Sequence, residues 1–303
     1  MKEIVVGPND AGQRLDRFLK KYLANAPLSL VYKIIRKDLK LNGKRAGEDV
    51  FLNNGDIIQL YIMDAELENL LAKKKHSHAK RQFTIAYEDE DILVVSKPFG
   101  LLTHGDATEK KNTLNNQVID YLIEKGDYIP RLEKSFTPAP ANRLDRNTTG
   151  LVAFGKNAKA QRYLTSAFAN KESEGGAKKI YQAICLGEIK SELVLEGYLL
   201  KDSRTNKVSV FKSERPGSKY IKTIVRPIKT SGKYSYVEVE LVTGRTHQIR
   251  AHLSSIRHPI LGDPKYGSGS AQYLHAGKLI LDGKTIESEL PREFQDKLRE
   301  LFR

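Results

Sequence analysis

Tyr234-Ser235-Tyr236-Val237-Glu238-Val239-Glu240-Leu241-Val242 alternates strictly, with Val237, Val239 and Leu241 on one side and Tyr236, Glu238 and Glu240 on the other. A period of two marks a strand with one dry and one wet face, which belongs in an antiparallel sheet. Working outward, Lys178 to Tyr181 opens another strand, and Ile92 to Val95 and Leu151 to Phe154 are short apolar runs that read as buried strands. Helices are fewer. Thr113 caps one reaching Leu122, with Leu114, Val118 and Leu122 on one face; Asn157 caps another through about Ala169. A third follows Pro291, with Phe294, Leu298 and Leu301 at helical spacing. Strands cluster instead of alternating with helices, so the expected class is α+β: a mixed, largely antiparallel sheet behind a small N-terminal α/β module.

The chain of 303 residues has room for one large unit and one small one. Its 51 Lys and Arg against 37 acids, a formal charge of +14, favour a polyanionic partner. No apolar run is long enough to span a bilayer, and Met1-Lys2-Glu3 does not begin a secretion signal, so nucleic acid is the expected partner and the cytoplasm the expected place. The single Cys185 lies in an apolar run and reads as a core filler.

Residues 1–64 read as a compact basic module. Leu15, Phe18, Leu19, Tyr22 and Leu23 recur at helical spacing, Val31, Ile34 and Ile35 suggest a second helix, and Asn42-Gly43 is a hairpin signal after Leu39 to Leu41. Lys33, Arg36, Lys37, Lys40, Lys44 and Arg45 crowd the second helix and hairpin, where they would follow a phosphate backbone or simply form a solvated face. Residues 65–82, with Lys73-Lys74-Lys75-His76-Ser77-His78-Ala79-Lys80-Arg81, read as a flexible basic linker, and residues 83–303 as the large domain. His76 and His78 lack Asp or Cys partners at ligand spacing, which argues against a metal there.

Two charged constellations stand out. Asn142-Arg143-Leu144-Asp145-Arg146-Asn147-Thr148-Thr149-Gly150 sets a carboxylate between two guanidinium groups and runs straight into the buried Leu151. The cluster therefore sits in a turn at the edge of a core. A carboxylate beside Arg suits a nucleophile or an electrostatic stabiliser, and a surface ion pair with an Asx turn is the plain alternative. The chain carries its own control: Arg14-Leu15-Asp16-Arg17 repeats the tetrapeptide on a helix, with Asp16 and Arg17 turned to water. The second constellation, Thr243-Gly244-Arg245-Thr246-His247-Gln248-Ile249-Arg250-Ala251-His252-Leu253, follows the alternating strand. His247, His252, His258 and Asp263 invite a metal reading, but a spacing of five separates His247 from His252 on either a strand or a helix. Arg250 belongs with an anion, a substrate phosphate or the carboxylate of Asp145.

Taken in order, Arg143 to Leu151, Lys179-Ile180-Tyr181, Gly244 to Leu253 and Leu274-His275-Ala276 closely resemble the RluA-type RNA pseudouridine synthases, and Val95-Ser96-Lys97-Pro98-Phe99-Gly100-Leu101 fits the opening strand and turn of that family. The likeness runs from Ala11 to about Leu281. The front module resembles the small RNA-binding unit of ribosomal small-subunit protein four, through Gly12 to Asp16, Leu41 to Lys44 and Asn54-Gly55-Asp56. Asn142 stands where many family members have His, and Thr149 where Ser is common; both departures bear on the choice of RNA target and not on the reaction.

The resemblance implies isomerisation of specific uridines to pseudouridine in RNA, with large-subunit ribosomal RNA or its precursor as the leading partner. It implies no cofactor, metal or energy source, no membrane and no obligate protein partner. The target base must be flipped into a pocket at a cost of a few kcal/mol. Asp145 would be the nucleophile, attacking the ribose or the uracil. Tyr181 would stack on the base and help to remove the proton from carbon five. Arg250 would pair with Asp145, and Arg143 would contact the backbone or fill the gap left by the flipped base. Two other readings make different predictions: a catalytically silent RNA-binding or ribosome-assembly protein leaves uridine unchanged, and a metal-dependent nuclease shortens RNA.

Overall fold

The computed structural model describes residues 1–71, 79–130, 132–169, 176–202, 205 and 207–303. The N-terminal unit contains β1 (Lys2–Val5), α1 (Leu15–Tyr22), α2 (Leu28–Lys37), β2 (Leu39–Leu41), β3 (Ile57–Leu60) and α3 (Asp64–Leu70). Its strands lie in the order β1-β3-β2. Leu15, Phe18 and Leu19 of α1 meet Val31, Ile34 and Ile35 of α2 over Ile58 and Leu60, so the two apolar stripes close one small core.

Two expectations for this unit need correction. Asn42 and Gly43 do take positive φ, 52° and 77°, but the turn closes on a single bridge between Leu41 and Lys44. The partner of β2 is β3, with Leu39 opposite Leu60 and Leu41 opposite Ile58. Nor does the unit end at residue 64. Leu67 and Leu70, three apart on α3, enter the first core, and the acids Asp64 and Glu66 sit in the first turn, where they complement the helix dipole. At its far end the expected linker belongs to the large unit: Ala79 N donates to Asp120 Oδ2 at 2.9 Å and Gln82 N to Gln117 Oε1 at 2.8 Å. Lys73 to Lys75, His76 and His78 lie outside the described residues.

The large unit follows with β4 (Thr84–Glu88), β5 (Ile92–Lys97), α4 (Leu114–Lys125), β6 (Thr149–Gly155), α5 (Ala158–Ala169), β7 (Lys178–Leu186), β8 (Leu193–Lys201) and β9 (Val208–Phe211). It continues with β10 (Lys219–Thr230), β11 (Tyr234–Leu241), α6 (Gln248–Ser255), β12 (Leu274–Leu281), β13 (Lys284–Glu287) and α7 (Arg292–Leu301). One sheet runs β4-β5-β6-β12-β7-β11-β10-β8-β9, with β13 also on β12. The β6–β12 pair is parallel and the others antiparallel, the mixed, largely antiparallel sheet that the alternating strand implies. In β11, Val237, Val239 and Leu241 are buried while Tyr236, Glu238 and Glu240 are half-buried.

The unbroken apolar run of β6 has a different cause, since both of its faces are covered. Val152 and Phe154 face α4 through Leu114, Val118 and Leu122, whereas Leu151 and Ala153 face α5 through Leu164 and Ala167. Thr113 caps α4 by accepting from Asn116 N at 3.2 Å, and Asn157 accepts from Ala160 N at 2.9 Å to start α5. Gly150 opens β6 at φ 109°, and a Cβ there would stand 2.2 Å from the Ala276 carbonyl oxygen. Only glycine permits this approach of β6 to β12. Cys185 is a filler of the main core, and burial pushes its thiol up to about 12. Among the described residues no helix is long and apolar enough to cross a membrane.

The short helix α6 is buried along most of its length, His252 included. His252 Nδ1 meets Thr223 Oγ1 at 3.0 Å, its Nε2 has no partner among the described residues, and burial pushes the ring from 6.5 down to about 4. The neutral ring is thus the folded form. Its stability contribution is complete above the unfolded value and is lost as pH falls from 6.5 toward 4, by roughly 2–4 kcal/mol. Urea midpoints for wild type and His252→Gln should converge across that window, because Gln has no proton to take up. Parallel pH dependences would show that His252 is not the group protonated on acid unfolding.

Candidate active site

Asp145 lies in the loop that enters β6, and several independent bonds hold that loop. The Lys97 amine, buried at the end of β5, donates to the carbonyls of Pro98 at 3.0 Å, Leu101 at 2.8 Å and Arg146 at 3.0 Å. Three acceptors need three N–H donors, which only the ammonium offers. Burial, opposed by the charge of Asp145, leaves Lys97 lowered to about 7. On the other side of Asp145, the Thr103 hydroxyl donates to Leu144 O at 2.9 Å and accepts from Leu144 N at 3.3 Å. Thr148 N closes the turn on Asp145 O at 3.1 Å. Backbone atoms on both sides of the carboxylate are therefore anchored to buried side chains.

The two departures from the family pattern belong to this scaffold. Asn142 is buried, donates to Leu151 O at 3.1 Å and accepts from Ala153 N at 2.9 Å, so its amide acts as one more rung beside β6. Thr149 Oγ1 meets His275 Nδ1 at 2.8 Å, with both side chains buried. Both positions hold the loop.

Arg250 comes from α6. Its Nη1 reaches Asp145 Oδ2 at 2.6 Å, while Nε and Nη2 form a fork on Asp263 at 2.7 and 2.8 Å. Only 7% of the Arg250 side chain is exposed and none of that of Asp263, against 29% for Asp145. One carboxylate is thus sealed and the other is open to a substrate. Burial opposes the charge on both members of the sealed pair, but their mutual bonds prevail: Arg250 is raised above its ordinary value and Asp263 lies below the usual carboxylate range. Asp263 Oδ1 also accepts from Lys265 N at 2.8 Å and Tyr266 N at 3.0 Å. Gly262, at φ 73°, makes this turn possible, since a Cβ there would stand 1.9 Å from Ala271 O.

The remaining walls come from the same region. The Tyr266 ring lies 5.2 Å from the Arg250 guanidinium carbon, and its oxygen accepts from Val208 N at 2.9 Å and meets His247 Nδ1 at 3.0 Å. His247 Nε2 stands 3.8 Å from Asp145 Oδ2. Burial pushes the His247 ring below its ordinary value, with Asp145 pulling the other way. Gln248 fixes the loop before α6 by donating to Lys222 O and Thr223 Oγ1, both at 3.0 Å, and by accepting from Arg245 N at 3.0 Å. Tyr181, on β7, is 4% exposed; burial and then the charge of Asp145 push its phenol upward.

Of the residues singled out from the sequence, the fold gathers Asp145, Arg250 and Tyr181 into one electrostatic neighbourhood. Arg143 is exposed beside them on the same loop. The alternative of a surface ion pair fails for Arg250, which is buried. Lys33, Arg36, Lys37, Lys40, Lys44 and Arg45 are all exposed on the N-terminal unit. His247 and His252 turn to different partners, Tyr266 and Thr223. The sequence reading missed Asp263 as the second carboxylate of Arg250, and Lys97 and Tyr266 as supports. A Lys closing the apolar run Ile92 to Val95 and an Asp straight after Gly262 were the available signals.

The comparisons agree with this geometry. Residues 91–255 match the family model for RNA pseudouridylate synthase. An RNA pseudouridine synthase of Mycoplasma capricolum, itself uncharacterised, is 32% identical over 270 residues, 88% of this chain and 85% of the relative. Ribosomal large subunit pseudouridine synthase C of Vibrio cholerae is 33% identical over 263 residues, 85% of this chain and 78% of the relative. Human RNA pseudouridylate synthase domain containing 4 shares the fold, with a TM-score of 0.58 and 22% identity over 72% of this chain and 92% of its own. The chain therefore belongs to the RluA-type family of RNA pseudouridine synthases and is an isomerase that converts uridine to pseudouridine in RNA.

Proposed function

We propose that Asp145 is the nucleophile, that Arg250, Tyr181 and Arg143 serve it, and that the substrate is large-subunit ribosomal RNA or its precursor. The observation that carries the assignment is the asymmetry around Arg250, with Asp263 sealed and Asp145 open at 2.6 Å. The choice of RNA is supported by the Vibrio relatives, whose names specify the ribosomal large subunit. The N-terminal unit, through its resemblance to the ribosomal RNA-binding module, adds to that support.

In the proposed sequence, the uridine is flipped out of its stack and Arg143, exposed on the Asp145 loop, contacts the backbone or fills the gap. Asp145 attacks the ribose or the uracil, the bond from nitrogen one to the sugar breaks, and the ring turns. Carbon five then bonds to the sugar, carbon five loses its proton, nitrogen one gains one, and Asp145 is released. Atoms balance with no other reagent.

Tyr181 supplies the apolar wall for the base. Its phenol stays protonated in the free protein, because burial and the Asp145 charge both oppose the phenolate. A covalent bond to Asp145 removes that negative charge and leaves the Arg250 cation less compensated. The phenol is then easier to deprotonate when the proton on carbon five must leave.

Asp145→Asn should abolish pseudouridine formation, read by carbodiimide labelling of the product RNA, while binding changes little. Asp16→Asn, in the matching tetrapeptide of α1, should leave turnover within a factor of a few. Equal behaviour of the two would remove the special status of Asp145. For the module face, Lys33→Gln, Arg36→Gln and Lys37→Gln together should lower the slope of log affinity against log salt by about two to three units. An unchanged slope would mean that this face does not meet RNA.

A further inference from the structure

The N-terminal unit is docked on the large unit by hydrogen bonds to two carboxylates, Glu133 and the buried Asp10. Asn9 donates to Glu133 Oε1 at 2.8 Å and accepts from Ala158 N at 3.0 Å, and the buried Asp10 accepts from Ser135 N at 3.1 Å and Ser135 Oγ at 2.7 Å. Beside these contacts the two units enclose a cleft of about 660 Å³. Arg14, Arg17 and Lys21 line it from α1, Lys134 and Arg162 from the large unit, and Phe51 stands among them.

The charges in this cleft are not balanced. Arg14 pairs with Asp16 at 3.0 Å and Lys134 with Asp10 at 3.6 Å. Arg17, Lys21 and Arg162 have no carboxylate in salt-bridge range among the described residues; Lys21 donates to Gln13 Oε1 at 3.0 Å and Arg162 to Ala11 O at 3.2 Å. The Lys21 ammonium is pushed down by burial and then by the charges of Arg162 and Arg17, against the pull of Asp10. Docking therefore concentrates positive charge that repels itself, and a bound polyanion would relieve the repulsion.

Phe51 tells which polyanion. The residue is 63% exposed, yet its backbone is pinned by a bridge to Arg14 and by the Leu52 N bond to Gln13 O at 3.0 Å. An exposed aromatic residue on a pinned backbone among cations suits a nucleotide strand, which offers phosphates to the cations and an unstacked base to the ring. An acidic peptide would satisfy the charges and leave the ring unused.

We propose that the cleft between the two units is a second RNA-contact site, in which Arg17, Lys21 and Arg162 hold the phosphates of a single-stranded segment of the substrate and Phe51 stacks on one of its bases. The site exists only in the docked arrangement, so it ties recognition by the front unit to the placing of RNA on the large one.

The test uses the full chain and two fluorescent RNA hairpins, one blunt and one with a short single-stranded uridine tail. Phe51→Ala should weaken the tailed hairpin by about tenfold and leave the blunt one unchanged. Arg17→Gln with Lys21→Gln should lower the salt slope for the tailed hairpin by about one to two units, whereas the exposed Lys190→Gln should not move it. These side chains are exposed, so the fold is retained. As a measurement independent of affinity, thiouridine in the tail should photocrosslink to the peptide that carries Phe51. Equal losses on both hairpins, an unchanged slope, crosslinks confined to other segments, or competition by an oligo-aspartate peptide without any tail dependence would each overturn the proposal.

Discussion

Arg250 stands between two carboxylates, and the proposed chemistry depends on its serving them unequally. Its fork on Asp263 spends two of its donors on a buried partner and fixes the plane of the guanidinium. The third donor then points where the α6 backbone puts it, at Asp145 Oδ2. A lysine ammonium is a point charge on a flexible stem and cannot hold one acid rigidly while presenting itself to another. Asp145 is thereby kept in place by a charge that is itself immobile.

Burying the Arg250–Asp263 pair is costly, and the fold carries the cost in identifiable places. Taking an ion out of water loses several kcal/mol, which is recovered only when every donor finds an acceptor in good geometry. Asp263 collects four N–H donors, two from Arg250 and two from the backbone of Lys265 and Tyr266. Gly262 and Gly150 permit the close backbone approaches that bring the Asp263 turn and the Asp145 loop into position. Lys97 repeats the logic on the opposite side of the loop, since its three carbonyl acceptors tie the residue after Asp145 to the end of β5. The site is accordingly built from α6, from β7 and from the loops that enter β6 and β12, and its loops are held by side chains bonded to backbone.

Local patterns in the sequence foretold what local physics decides. The period of two in β11, the Thr113 and Asn157 caps and the apolar run of β6 all read correctly, because burial and capping act within a few residues. What escaped was pairing across the chain. Nothing near Leu39 to Leu41 says that its partner is Ile57 to Leu60 and not the segment after Asn42-Gly43. Nothing near Gly150 says that β6 runs parallel to β12. The same limit applied to the site. Asp145 and Arg250 were legible through ordered motifs; charge alone left Arg250 to a phosphate or to Asp145, and the family resemblance implied their pairing. The second carboxylate of Arg250 was not, because Asp263 carries no local mark of a buried acid beyond the glycine before it. The Leu67 and Leu70 contacts of α3 were hidden by their polar surroundings, which look like a linker until the first core offers them a place.

The account stands on the claim that Arg250 acts through a rigid fork and not through its charge alone. Arg250→Lys keeps the charge and most of the stem while removing the fork, so it separates the two. The measurement is the single-turnover rate of pseudouridine formation on saturating RNA, made with protein verified as folded by its thermal transition. The account predicts a loss of about a hundredfold, since a misplacement of about 1 Å at a reacting group has that order of effect, with RNA affinity changed by no more than a few-fold. A folded Arg250→Lys protein that turns over within a factor of a few of wild type would contradict it.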